Sequence, residues 1–537
     1  MATGAMTDTY FPGVRVVERP FQPGVASAMP VTAFGAFVGL SDQGPTSPTE
    51  VRSWPEFTQI YGTRYTDLHN AVYDFFSNGG RRAYIVRLPG TGGAQAALLV
   101  GDTAAVAAPT AGNEVINVTA TNPGTWGNQL RFATYIRDAT NFRFDAALYN
   151  MPSGVTFDPT KRNNEYVVDQ WNDVSLYNDD PRYFYTLANM PSSTGSKLVS
   201  FGGKTYDRTL PDTGVNRPLP GQYTGANTMT GGVNGTAYAV GAPTAAAYAA
   251  GVAAMAVIPG PYVLNLPNVS TAAIITAALT DAASRGDVFV VCDCPLNTDV
   301  AGMVTYVGTL GLNVFQSNIP SFGAVYYPQC YMPAIGSTVP GRTQLRPAGG
   351  AIVGTYMATD DQTGPWRVPA GRNYRLGGAL QTERGLVEQD LTTLNSNNIN
   401  ALRIMTGTGV SIMGGRTFKK SGSDMYINVR RTIMEVTRSL VSATEVSIFE
   451  NNDERLWAQM EAVCERYLGN IFSQGGLKGG SPEQAFYVRC DDTNNDANTI
   501  AQGLVNIEVG IALLTPAEFI VITIGQFEGG STTVQTR

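Results

Sequence analysis

The 537-residue sequence predicts a mixed α+β and α/β multidomain chain, with an α/β core assembled from N- and C-terminal parts, a β-rich inserted domain and extended terminal arms. Three observations predict it. Apolar runs of strand type alternate with helical stripes in residues 31–90 and again in 231–367, the pattern of β-α-β layering. Between them, short alternating runs are split by Asn, Gly, Pro and Ser clusters, the texture of a β domain. Each end carries a β-prone stretch set apart from the body by Pro or Gly, and a lone strand is not stable in water.

The N-terminal arm and linker span 1–30. Gly13-Val14-Arg15-Val16-Val17-Glu18 favours an extended backbone, with Pro12 in front and Pro20, Pro23 and Gly24 behind. Within 31–90, Val31–Val38 reads as a strand, Trp54-Pro55-Glu56-Phe57 opens a short helix, and Asp67–Ser77 forms a second helix with Leu68, Val72, Phe75 and Phe76 on one stripe. Asn78-Gly79-Gly80 ends that helix, and Ala83–Val86 is the next strand. The insert, 91–230, contains Glu114–Val118 and Leu130–Tyr135 as strands.

In the open-sheet domain, 231–367, Ala254–Ile258 is expected as a strand. Ser270 is expected to cap a helix carrying Ile274, Ile275, Ala278 and Leu279. Val288–Cys292 reads as a buried strand, Ala324–Tyr327 as another, and Ala351–Gly354 as helical. The C-terminal α+β domain, 368–525, has Val429, Ile433, Val436 and Leu440 on one helical face. A second long helix begins near Asn451–Glu454, with Leu456, Met460, Val463 and Tyr467 as its stripe. Ala485–Val488 and Gly503–Leu514 read as strands, and Thr515-Pro516 turns the second into Phe519-Ile520-Val521-Ile522-Thr523-Ile524. Residues 526–537, starting beside Phe527, form the C-terminal arm.

Charged residues make up 15% of the chain, against roughly 25% in ordinary soluble domains. Interface cores are depleted in charge, so extensive covering by partners is expected. The formal charge of −7 argues against direct nucleic-acid binding. No apolar run is long enough to span a bilayer, and Met1-Ala2-Thr3-Gly4-Ala5 does not read as a secretory signal. Cys292, Cys294, Cys330, Cys464 and Cys490 lie mostly in apolar runs and read as reduced, buried thiols. Cys292-Asp293-Cys294 lacks zinc spacing. The single histidine, His69, reads as a surface or boundary residue beside its helical stripe.

Gly336–Thr343 resembles a phosphate-binding loop with Arg342 where Lys is required, but its context reads as a plain loop. Asp360-Asp361 and Asp491-Asp492 read as solvated turns. An enzyme using the 231–361 sheet as a nucleotide or hydrolase site is the alternative reading, with Asp293 as its best but solitary candidate. No catalytic residue, metal site or cofactor is assigned.

The ordered segments resemble the contractile tail sheath proteins of myophages, R-type pyocins and related injection systems. The opening Pro12–Glu18 is similar to that family's N-terminal motif. Phe37-Val38-Gly39, Ser53–Phe57, Tyr61-Gly62 and Phe75–Arg87 follow in order. Asn122–Leu130, Asp180–Tyr183 and Gly231–Gly235 lie in or beside the insert. Gly364–Gly371, Tyr426–Arg431, Phe449–Trp457, Phe486–Asp491 and Pro516–Ile520 complete the series. Asn234 and Asn451 depart from it.

The resemblance implies a structural, non-enzymatic subunit. It would polymerise with itself as a six-start helical sheath of stacked hexameric rings around an inner tail tube protein. Baseplate and tail terminator proteins would be further partners, and contraction would drive the tube through an envelope. It places the chain in a virion tail or an injection particle after synthesis in a bacterial cytoplasm. It also implies that Gly13–Glu18 and the C-terminal strand and arm, Phe519–Ile524 with Phe527, pair with neighbouring subunits. The insert would face outward. Lys419, Lys420, Arg430, Arg431 and Lys478 are candidate tube contacts.

Overall fold

The computed structural model describes residues 34–516 and 518, apart from 64–65, 89–92, 101–114, 139–141, 152–157, 159–165, 191–194, 197, 204–205, 207–227, 234–243, 313–317 and 338. The described chain forms two compact units, one ending at Ile448 and one beginning at Phe449.

The first unit starts with β1 (Phe34–Leu40) and β2 (Thr49–Val51), then α1 (Trp54–Tyr61), α2 (Asp67–Ser77) and β3 (Ala83–Leu88). Ser53 starts α1 by accepting the Glu56 N–H at 3.3 Å, a side-chain cap for an orphan donor. The insert supplies β4 (Ala97–Val100), β5 (Ile116–Ala120), β6 (Leu130–Asp138), β7 (Arg143–Asn150), β8 (Val167–Val174), α3 (Phe184–Ala188) and β9 (Val199–Gly203). These strands make two antiparallel sheets, β4-β5-β9 and β6-β7-β8. They enclose a core of their own around Phe132, Phe144, Trp171, Phe184 and Phe201. Trp171 meets Phe184 edge-on with ring centres 5.7 Å apart, the arrangement that ring quadrupoles favour.

The chain then runs through α4 (Ala245–Ala254), β10 (Tyr262–Asn265), α5 (Ala272–Arg285), β11 (Val288–Asp293), α6 (Val300–Thr309) and β12 (Gly323–Tyr327). A hairpin follows, β13 (Cys330–Pro333) and β14 (Thr343–Arg346), then α7 (Gly349–Thr363), β15 (Gln381–Thr382), α8 (Glu388–Ser396), β16 (Asn400–Met405), β17 (Gly409–Met413) and α9 (Ile427–Thr444). One eight-stranded sheet runs β17-β16-β12-β11-β10-β1-β3-β2. Its six inner strands are parallel and its two edges antiparallel. Every residue of β10, β11 and β12 is buried, which explains the unbroken apolar run of a doubly covered strand.

Helices α2 and α7 meet closely. A Cβ on Gly350 would collide with the Ala71 carbonyl, and one on Gly354 with the Phe75 carbonyl. Asp74 of α2 takes two hydrogen bonds from Arg346, at 2.9 Å from Nε and 2.7 Å from Nη2. Burial pushes the Asp74 carboxyl up to about 6, against the opposing pull of the Arg346 hydrogen bonds and charge.

Several expectations are corrected. Ala254–Ile258 is the end of α4 and a 3₁₀ turn, Met255–Val257. The strand begins only at Tyr262, beyond Pro259-Gly260-Pro261. The N-cap of α5 is Thr271, one residue after Ser270. Asp360-Asp361 sits in α7 rather than in a turn. Strands β16 and β17 extend the main sheet beyond the boundary read at 367, and the chain divides at Ile448 instead. By contrast, the stretch Gly336–Thr343 agrees with its reading as a plain loop: its described residues lead from β13 into β14 and open no helix.

Candidate assembly site

The second unit is built on α10 (Glu454–Ser473) and the antiparallel pair β18 (Phe486–Arg489) and β19 (Glu508–Ile511). Asp453 caps α10 by accepting the Leu456 N–H at 2.9 Å. Trp457 Nε1 donates to Asn452 Oδ1 at 2.8 Å, and Asn452 Nδ2 donates to the Leu504 carbonyl at 2.9 Å. The buried stripe of α10 is Leu456, Trp457, Cys464, Tyr467, Leu468 and Ile471. Met460 and Val463 lie at its half-buried margin. Gly475 takes φ +74° after the helix, and the Gly476 N–H returns to the Ile471 carbonyl at 2.9 Å, closing the C-terminus. The chain then reaches β18, where the Phe486 ring lies tilted against Phe472 with ring centres 6.0 Å apart.

Strands β18 and β19 pair Phe486 with Ile511 and Arg489 with Glu508. Tyr487 Oη donates to Glu508 Oε1 at 2.6 Å. The expected strand Gly503–Leu514 is shorter than read. A short helix, Ala497–Ala501, ends at Gly503 with φ +70°. Asn495 and Asn506 then clamp the loop through two hydrogen bonds, 2.6 and 3.0 Å. Among the described residues this sheet has two strands, and a two-stranded pair is marginal by itself. Val488, Val509 and Ile511 are only half-buried, so the sheet offers outer edges and partly apolar sides to further strands. The arm strands Gly13–Glu18 and Phe519–Ile524, with Phe527, lie outside the described residues.

Two candidate tube contacts are corrected. Arg430 and Arg431 are buried in the first unit. Arg430 Nη2 donates to Asp424 at 3.0 Å and its guanidinium lies over the Phe322 ring. Arg431 Nη1 donates to Asp360 at 2.9 Å, with Tyr356 beneath it. These arginines tie α9 to its own unit, and desolvating a charge demands such a partner. Lys419 is partly spent too, donating to Asp424 at 2.7 Å and Asn318 at 3.0 Å. Lys420 and Lys478 are exposed.

Asp293, at the end of β11, is buried and has close polar neighbours. Its Oδ2 accepts the Asn268 N–H at 2.8 Å, and its Oδ1 accepts from Asn265 Nδ2 at 3.4 Å. A Cβ on Gly349 would collide with Asp293, so the carboxylate sits directly against the start of α7. Burial pushes its pKa up to about 7. Its polar capacity is used in joining β10, β11 and α7. His69 is fully buried, not at the surface. Its Nε2 faces the Tyr61 and Gly62 carbonyls at 3.2 and 3.1 Å, and Nδ1 faces the Thr66 N–H at 3.4 Å. Burial lowers its pKa to about 4, so it is a neutral imidazole closing the α1–α2 turn. All five cysteines are buried and free, and burial pushes Cys330, Cys464 and Cys490 up to about 12. No His, Cys, Asp and Glu cluster suited to a metal occurs among the described residues.

Residues 421–527, which contain α9, α10, β18 and β19, match the family model described as phage tail sheath C-terminal domain. The resemblance to contractile tail sheath proteins stands. A tail sheath protein of Vibrio phage KVP40 is 30% identical over 161 residues, which is 30% of this chain and 23% of that protein. The matched part thus spans about a quarter of this curated relative. The sheath tail protein from Listeria innocua has a similar fold, with TM-score 0.57, 10% identity and coverage of 92% of this chain and 96% of that one. The helical sheath of the anti-feeding prophage in its contracted state gives TM-score 0.53 at 18% identity, covering 97% and 100%. The PVC sheath complex of an extracellular contractile injection system, also contracted, gives 0.52 at 18%, covering 97% and 99%. The similarity in fold to these sheath proteins therefore extends over nearly the whole chain, beyond the segment that matches the family model.

Proposed function

We propose that this chain is the structural subunit of a contractile sheath, of a phage tail or an injection particle, and performs no catalysis. It polymerises around an inner tube and contracts to drive that tube through a target envelope. The observation that carries this reading is the two-stranded sheet β18–β19, set inside the segment that matches the sheath domain. Such a sheet gains most from added strands. The two termini carry strand-type sequences, Gly13–Glu18 and Phe519–Ile524, of the kind that can supply them.

Pairing through backbone hydrogen bonds keeps copies connected while the units repack. Contraction is then a change between two packings of the same linked subunits, and no nucleotide is consumed. The insert, with its separate core, faces outward. Lys420 and Lys478 remain as tube contacts. Stacked hexameric rings in a six-start helix, a baseplate and a tail terminator complete the assembly.

Electron microscopy of the purified full chain and of a chain lacking residues 1–19 tests this. The full chain forms tubes or stacked rings at high concentration. The truncated chain keeps its thermal unfolding transition but stays monomeric. Tubes of normal length from the truncated chain contradict the proposal.

A further inference from the structure

The segment before the unit boundary and the segment after it have opposite charge. Residues 364–448 contain eleven Lys and Arg against six Asp and Glu. Residues 449–518 contain four Lys and Arg against eleven Asp and Glu, a net of −7 that equals the formal −7 of the whole chain. The remaining residues carry 21 Lys and Arg against 26 Asp and Glu, a net of −5.

On the first segment, the excess comes to a focus on one row of the sheet. Arg403 of β16 is in register with Ser411 of β17, and Ser411 is bridged on its other side by Arg375. The Leu376 N–H donates to the Val410 carbonyl at 2.9 Å, and the Ile412 N–H to the Tyr374 carbonyl at 3.2 Å. Arg375 and Ser411 are therefore a non-hydrogen-bonded pair, whose side chains approach closely on one face. Arg403 shares that face. Arg375 lies over Gly409, whose missing side chain leaves room for the guanidinium. Neither arginine has a carboxylate partner among the described residues. Between them the Ser411 hydroxyl is fully buried and makes no hydrogen bond. An unpaired buried hydroxyl is costly, and here it is flanked by two unpaired cations.

On the second segment, Glu461 and Glu465 stand one turn apart on α10, the spacing at which like charges repel. They have no basic partner among the described residues. Burial raises the Glu461 carboxyl, and Glu465 and then Asp491 raise it further.

We propose that the Arg375–Ser411–Arg403 row is a docking surface for the Glu461–Glu465 face of a second copy of this chain. The Cα atoms of the two arginines lie two strand spacings apart, about 10 Å. Two flexible guanidiniums on that base can meet carboxylates whose Cβ atoms are about 5–6 Å apart. The contact relieves like-charge crowding on both surfaces at once. It rests on the sheath reading, because it adds a side-chain contact to copies already linked by strands.

Charge reversal tests it on the full-length chain, with self-association followed by sedimentation velocity over a dilution series. Salt is varied from about 0.01 to about 1 M, over which screening shortens from ~30 to ~3 Å. R375E/R403E associates at least about tenfold more weakly at low salt and loses its salt dependence. Adding E461K/E465K to that chain restores most of the association, while E461K/E465K alone behaves like R375E/R403E. Circular dichroism melts confirm that all variants fold. Unchanged association of R375E/R403E overturns the contact, and so does failure of the fourfold variant to recover. If those variants behave as the native chain does, while removal of residues 1–19 still abolishes tubes, the contact fails and the strand-linked sheath survives. A native chain that does not associate at any salt overturns both.

Discussion

Single residues carry the charge chemistry of the first unit. Arg346 and Asp74 form a buried pair between segments 272 residues apart in sequence. Removing one member leaves an uncompensated charge, whereas replacing both by apolar groups does not. R346M therefore lowers the unfolding free energy by about 3 kcal/mol, and D74L/R346M recovers most of that loss. Urea unfolding of the three proteins measures both values. A single substitution within about 0.5 kcal/mol of the native chain contradicts this account. Sequence shows that Arg430 and Arg431 are charged, but not that Asp424 and Asp360 wait beneath them. Their burial comes from partners 6 and 71 residues away, which no local pattern reveals. The burial of His69 escapes the sequence for the same reason. Its ring is held by the carbonyls that end α1, and helix periodicity alone cannot report that.

At the scale of elements, the close approach of α2 and α7 depends on Gly350 and Gly354. G350A forces the helices apart and costs about 1–3 kcal/mol, again read by urea unfolding. A neutral substitution contradicts the packing described. The elements most legible in the sequence are those with strong punctuation. Ser53, Trp54 and Pro55 announce α1, and Asn78-Gly79 closes α2. The run Val288–Asp293 has the continuous apolarity of a central strand. Ala254–Ile258 misleads because a five-residue apolar run suits either structure. The Ala-rich stretch before it carries the helix through. In the candidate site, β18 and the buried stripe of α10 can be read from residue type. The true length of β19 cannot, because it is cut by the Asn495–Asn506 clamp, a tertiary contact.

At the scale of the whole molecule, the proposed assembly draws on two kinds of surface. The β18–β19 sheet offers backbone groups, and the opposed charge of residues 364–448 and 449–518 offers side-chain complementarity. Backbone pairing keeps copies linked irrespective of salt, while charge pairing is screened and can be exchanged. A polymer that must rearrange without falling apart needs both properties. The sparse charge of the chain, 15%, fits a subunit most of whose surface meets other copies. The measurement that bears most directly on this account is a helical reconstruction of the assembled chain by electron cryo-microscopy. The account predicts that Gly13–Glu18 and Phe519–Ile524 extend the β18–β19 sheet of neighbouring copies. Both segments folded onto their own chain, with β18–β19 left at two strands in the polymer, would contradict it.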